Sequence, residues 1–162
     1  MTTVDENWQP NMALRVAIQA TVQALQDRGP EFFVDYSIRL GGHEVLAGTE
    51  MGIRELLIRL PKVTVGDRDF PFRLAGHGPF HTSLCEQTAS QAAKQLSDLP
   101  VKMPNCHLID GYGNVHSPWS ADPRDLLRDP LHNQGLRTLD FSARVRTDPC
   151  SISVLPVLGF EK

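Results

Sequence analysis

Leu74-Ala75-Gly76-His77-Gly78-Pro79-Phe80-His81-Thr82-Ser83-Leu84 is the stretch on which the reading of this fold turns. Just before and into it, Phe70 to Gly76 alternates as a strand does. Gly76-His77-Gly78-Pro79 then offers neither a strand nor a helix a way to continue. A helix is expected to begin at Thr82 or Ser83 and to run to about Asp98, with Pro100 and Pro104 ending it. His81 is therefore the last residue of a strand–loop–helix elbow. Such a residue is placed by two rigid elements and still reaches a cleft, as catalytic groups on loops do. Histidine as a residue type titrates near neutrality, which suits general acid–base work. By pattern alone the same residues serve equally as a plain turn and a helix start.

Working outward toward the N-terminus, Asn11 is suited to cap a helix with Leu14, Ile18, Val22 and Leu25 on one face. Gly29-Pro30 ends it. Residues 32 to 40 alternate: Phe32, Val34, Tyr36, Ile38 and Leu40 face one way, Asp35, Ser37 and Arg39 the other. Gly41-Gly42 supplies a tight hairpin, and His43 to Ala47 return as the partner strand. Thr49 caps a second helix burying Ile53, Leu56, Leu57 and Leu60, which Pro61 stops. A polar turn at Gly66-Asp67-Arg68 leads into the strand at Phe70. The order α-β-β-α-β is that of a ferredoxin-like domain, β-α-β-β-α-β, without its first strand. Such a sheet has an unfilled position, which predicts that the sequence begins inside a larger protein. The alternative is that Thr2 to Trp8 form a short irregular first strand.

Toward the C-terminus, Val101 to Ile109 reads as extended and Asp110-Gly111-Tyr112-Gly113-Asn114 as a turn. Asp122-Pro123 opens a helix carrying Leu126 and Leu127 that breaks at Pro130. Phe141 to Val145 and Ser151 to Leu158 read as short apolar strands. No flexible linker separates the halves.

The chain has 162 residues, 41% hydrophobic and 22% charged, with a formal net charge of −3. This is an ordinary globular composition without a basic footprint for nucleic acid. No apolar run reaches a membrane span, and Met1 to Glu6 lacks the features of a signal peptide. Cys85, Cys106 and Cys150 make no secretory disulfide framework and predict reduced thiols in a cytoplasmic protein.

Gly78-Pro79-Phe80-His81-Thr82-Ser83-Leu84 resembles the histidine motif of malonyl-CoA:acyl-carrier-protein transacylases and the related acyltransferase domains of fatty-acid and polyketide synthases, roughly small-Pro/Ala-Phe-His-Ser/Thr-x-Leu. The likeness extends over about residues 11 to 145. It implies an α+β chain: a ferredoxin-like subdomain (residues 1–76), then the C-terminal part of an α/β-hydrolase-like acyltransferase domain (residues 77–162). His81 corresponds to the family's general base. Asn133 or Gln134 corresponds to the residue whose backbone carbonyl orients that histidine. Phe80 fits the pattern accompanying malonyl selection, and so substrate binding. The implied substrate is malonyl-CoA, and the implied partner is acyl carrier protein bearing phosphopantetheine. No bound cofactor and no metal are implied.

The departures are equally specific. No Gly-x-Ser-x-Gly occurs in the 162 residues, although the family nucleophile is a serine in Gly-His-Ser-x-Gly before the inserted subdomain. The family's early Gln-Gly segment and its malonyl-pairing arginine also belong to the region without a counterpart. The isolated chain is therefore expected to lack transacylase activity, the serine coming from a missing half or a separate chain. Two other readings remain: a non-catalytic module that binds carrier protein or completes a split enzyme, and a stand-alone ferredoxin-like binding or dimerising domain. His77, His81 and Cys85 recur every four residues, as metal ligands on a helix do, but Gly78-Pro79 interrupts any such helix. Ser83 and Cys85, imaginable as local nucleophiles, read better as cap and helix-face residues. The arginines at 124, 128, 137, 144 and 146 read as a solvated surface rather than a carrier-docking patch.

Overall fold

The protein is described by a computed structural model over residues 1–110 and 112–141. Gly111, Cys150, nearly all of the strand expected at 141–145 and the whole of that at 151–158 lie outside the described residues.

Helix α1 (Met12–Gln26) forms as its sequence dictates. The Asn11 side chain accepts from the Leu14 N–H at 3.1 Å, and Leu14, Ile18, Val22 and Leu25 are buried. Strands β1 (Val34–Arg39) and β2 (Glu44–Gly48) pair antiparallel. The turn between them uses Gly41 at φ 79°, a conformation glycine takes without strain. Helix α2 (Glu50–Arg59) starts on the Thr49 hydroxyl, which accepts from the Gly52 N–H at 3.1 Å. Its buried apolar residue Leu56, with Leu60 just beyond it, meets α1 and β1 in one cluster with Ile18, Val22, Leu25, Phe32 and Val34. Each such aliphatic side chain contributes about 1.5–3 kcal/mol by leaving water.

Several expectations are corrected. The alternation along β1 breaks: the register shifts between Tyr36 and Ile38, leaving Ser37 opposite no partner. This bulge turns Ser37, expected on the polar face, to complete burial, while Leu40 is exposed. The strand expected from Phe70 to Gly76 ends where it was to begin. Val63–Val65 (β3) and Arg68–Phe70 (β4) make a separate hairpin, and Pro71, with no N–H to donate, cannot extend it. The β3–β4 hairpin that follows α2 does not join β1 and β2. Instead Leu139–Asp140 (β7) pairs parallel with Ile38 and Arg39, giving the order β2-β1-β7. The flank of β1 is thus filled from the far end of the described chain. The amino-terminal residues are also engaged: Thr2 bridges His43 antiparallel, and the Thr3 N–H donates to the Gly42 carbonyl at 2.9 Å.

Past the elbow, a 3-10 turn at Ser83–Cys85 precedes helix α3 (Glu86–Gln95), which is shorter than expected. The Thr82 hydroxyl donates backward to the Pro79 carbonyl at 2.6 Å and makes no forward cap. A small hairpin, β5 (Leu108–Ile109) with β6 (Val115–His116), follows; residues 101–107 are irregular. Helix α4 (Pro123–Arg128) opens on the Asp122 carboxylate, as its sequence predicts, and passes into a wide turn over Asp129–Gln134. The fold is mixed α and β with small sheets.

Candidate functional site

The elbow is pinned from three directions. From below, Ser37 at the β1 bulge donates its hydroxyl to the Phe80 carbonyl at 2.8 Å. From behind, the Thr82 hydroxyl and the Cys85 thiol both donate to the Pro79 carbonyl, at 2.6 and 3.3 Å. From the C-terminal side, the Gly135 carbonyl accepts the main-chain N–H of His81 at 3.0 Å. Held this way, His81 adopts φ 60°, the left-handed region that a non-glycine residue seldom occupies. Backbone outliers of this kind cost energy and gather at functional sites.

His81 is half-buried, and the Phe80 ring beside it is 53% exposed. His77 stacks edge-on to Phe80 with ring centroids 5.7 Å apart. Phe72, Leu74 and Leu84 are also exposed on the same stretch of chain. The turn after α4 brings Asn133 to Gly135 toward this elbow. The Asn133 carbonyl accepts from the Tyr112 hydroxyl at 3.1 Å, and its side-chain amide donates to Asp129 at 2.8 Å. The structure therefore joins the 133–135 segment to His81, through a residue next to the two that the sequence singled out. Ser83 is exposed, and the Cys85 thiol is spent on a backbone carbonyl.

A cleft of about 400 Å³ opens between β2, α2 and the 70–79 segment. Its walls include Leu46, Ile53, Leu57 and Phe70, with His43, Glu44 and the Glu50–Arg73 ion pair (2.9 Å) among its polar groups. Burial lowers the His43 imidazole pKa and raises that of the Glu44 carboxyl; both shifts favour the uncharged form. His77, Gly78 and Pro79 form one lip, but His81 is not in the lining. The elbow, rather than this cleft, is the candidate site, because among the described residues it is where a histidine is held in the left-handed backbone conformation.

Asp110 is a second organised group. Its carboxylate accepts from the Tyr112 and Asn114 N–H groups, the Asn114 amide and His116, at 2.7–3.3 Å. Burial alone raises its pKa, but these donors outweigh burial and hold it below the ordinary aspartate value. It serves the loop that carries Tyr112 to Asn133. Among the described residues, no three His, Cys, Asp or Glu side chains converge as a metal site, and Cys85 and Cys106 are free thiols. No described helix is long and apolar enough to cross a membrane.

Sequence reasoning missed Ser37, Tyr112 and Gly135. Ser37 carried no signal, since its place in the alternation pointed it to solvent. Gly135 lies one residue beyond the pair that the histidine resemblance picked out.

No family model and no curated protein matches this sequence. Among solved structures, the chain is similar to the crystal structure of the Synechocystis sp. PCC 6803 malonyl-CoA:ACP transacylase, with a TM-score of 0.55 at 19% sequence identity. The match covers 82% of this chain and 40% of that one, so the chain spans less than half the length of its structural neighbour. At that identity the shared property is the fold: this chain has the backbone arrangement of part of an acyltransferase structure.

Proposed function

We propose that this chain is the histidine-bearing portion of an acyltransferase that moves malonyl from malonyl-CoA to the phosphopantetheine thiol of acyl carrier protein, in fatty-acid or polyketide synthesis. The observation that carries the reading is His81 at φ 60°, its N–H bound at 3.0 Å to a carbonyl of the 133–135 segment. The fold likeness to a malonyl-CoA:ACP transacylase supports it. On this reading α1-β1-β2-α2 is the core of a ferredoxin-like insert. Residues 77–162 belong to the larger domain, and the setting is the cytoplasm.

In this mechanism His81 takes the proton of a serine hydroxyl as its oxygen attacks the thioester carbonyl. The tetrahedral oxyanion collapses, coenzyme A leaves as thiolate, and that thiolate recovers the proton from the imidazole. The carrier's thiol then gives its proton to His81 and attacks the acyl-serine; collapse returns the proton to the serine. Asn133 or Gln134 orients the ring through its backbone carbonyl, and Phe80 lines the acyl subsite. The chemistry asks for no metal and no bound organic cofactor. The serine comes from a segment outside these 162 residues, on the same enzyme or a separate chain, and Phe72, Leu74 and Leu84 give that body an apolar surface to pack on.

The test mixes malonyl-CoA and holo carrier protein with this chain alone, then with a separately produced acyltransferase portion carrying Gly-His-Ser-x-Gly. No malonyl carrier is expected from the chain alone. Transfer is expected from the mixture, falling about 100-fold or more with His81→Ala. Transfer by the chain alone, or transfer indifferent to His81→Ala, overturns the reading.

A further inference from the structure

We propose that Ser37 is a positioning residue for His81. The inference rests on His81 being the working group of the site, but not on any particular acyl substrate. Ser37 lies 44 positions before His81 in the numbering, on a different element. It is the residue at which the β1 register slips, and it is 0% exposed. A bulge that leaves a strand residue unpaired and turns a hydroxyl inward costs ladder pairing, so it persists where something offsets that loss. Here the hydroxyl donates at 2.8 Å to the carbonyl of Phe80, the peptide unit directly preceding the His81 N–H.

That placement is specific. The Phe80 carbonyl and the His81 N–H belong to one planar peptide group. Ser37 fixes its oxygen, and the Gly135 carbonyl fixes its hydrogen at 3.0 Å. With both ends of the plane tied, rotation about the bond that sets φ of His81 is confined, and φ stays at 60°. The Cβ of His81, and with it the imidazole, is thereby aimed through the backbone from β1. Thr82 and Cys85 tie the Pro79 carbonyl, one peptide unit earlier, and do not reach this plane.

The test compares wild type with Ser37→Ala, Ser37→Thr and Ser37→Cys. It reads two properties of His81: the left-handed backbone signature in NMR couplings and nuclear Overhauser effects, and the rate of imidazole modification by diethyl pyrocarbonate relative to exposed His107. Ser37→Ala is expected to lose the left-handed signature and to change the relative rate about fivefold. Ser37→Thr, which keeps the hydroxyl, is expected to restore both. If Ser37→Ala fails to fold, Ser37→Cys, a weaker donor of similar size, is read in its place and is expected to shift both properties the same way. A lower melting temperature with signature and relative rate unchanged makes Ser37 merely structural and overturns the inference. Neither readout involves acyl transfer, so failed malonyl transfer sinks the proposed reaction without touching this result, and the reverse also holds.

Discussion

Asp110 shows how one side chain organises a loop. Four donors converge on its carboxylate, and its side chain is only 7% exposed. Asp110→Ala leaves the Tyr112 and Asn114 N–H groups without their acceptor, and about 1–3 kcal/mol of stability should be lost at pH 7. The pH dependence follows from the depressed pKa. The unfolded carboxyl takes up its proton first, near the usual aspartate value of about 3.9. The stabilisation is therefore complete above that value and disappears as pH falls through the lower folded value. Thermal melts of wild type and Asp110→Ala should differ clearly at neutral pH and draw together in strong acid. A gap that widens in acid would contradict the assignment.

Among the elements, α2 offers a sign reversal. Replacing a glycine inside a helix by alanine ordinarily gains about 1 kcal/mol. At Gly52 the new Cβ would stand 2.6 Å from the Phe33 carbonyl oxygen and 2.8 Å from a Val34 methyl. Two of the three nearest atoms are backbone carbonyl oxygens, of Phe32 and Phe33, so the helix must move off the segment leading into β1. Gly52→Ala should cost about 1–3 kcal/mol despite its better helix propensity, read as a lower urea midpoint at unchanged slope. The helices themselves were legible: Asn11, Thr49 and Asp122 all cap where their types predict. The strands were less so. The strand expected from Phe70 to Gly76 does not form beyond Phe70: Val63–Val65, too short to register as a strand by pattern, pairs with Arg68–Phe70, and Pro71 ends the ladder at once.

For the whole molecule, the junction between β1 and β7 matters most. The Thr138 hydroxyl donates to the Tyr36 carbonyl at 2.8 Å across 102 residues, next to the two-residue parallel pairing of β7. Thr138→Val keeps the volume and removes that donor. It should lower stability by about 1 kcal/mol and speed amide exchange at Arg39 and Asp140 more than in α1. Equal acceleration everywhere would mean that the junction is not a separate opening unit. The Tyr36 carbonyl and the Ser37 hydroxyl leave β1 from adjacent positions, one to Thr138 beside β7 and the other to the elbow. The strand is thus the common support of both segments that meet at His81.

The sequence by itself determined helices α1, α2 and α4 with their caps and the β1–β2 hairpin, because each depends on residues within a turn or two of one another. Tertiary structure alone decided that Ser37 faces inward, that β7 flanks β1, and that Gly135 is the residue bound to the His81 N–H. Those outcomes depend on which distant backbone groups are left in need of a partner. That is settled only when the whole chain has packed, since a buried N–H or C=O takes whatever complement the fold brings to it.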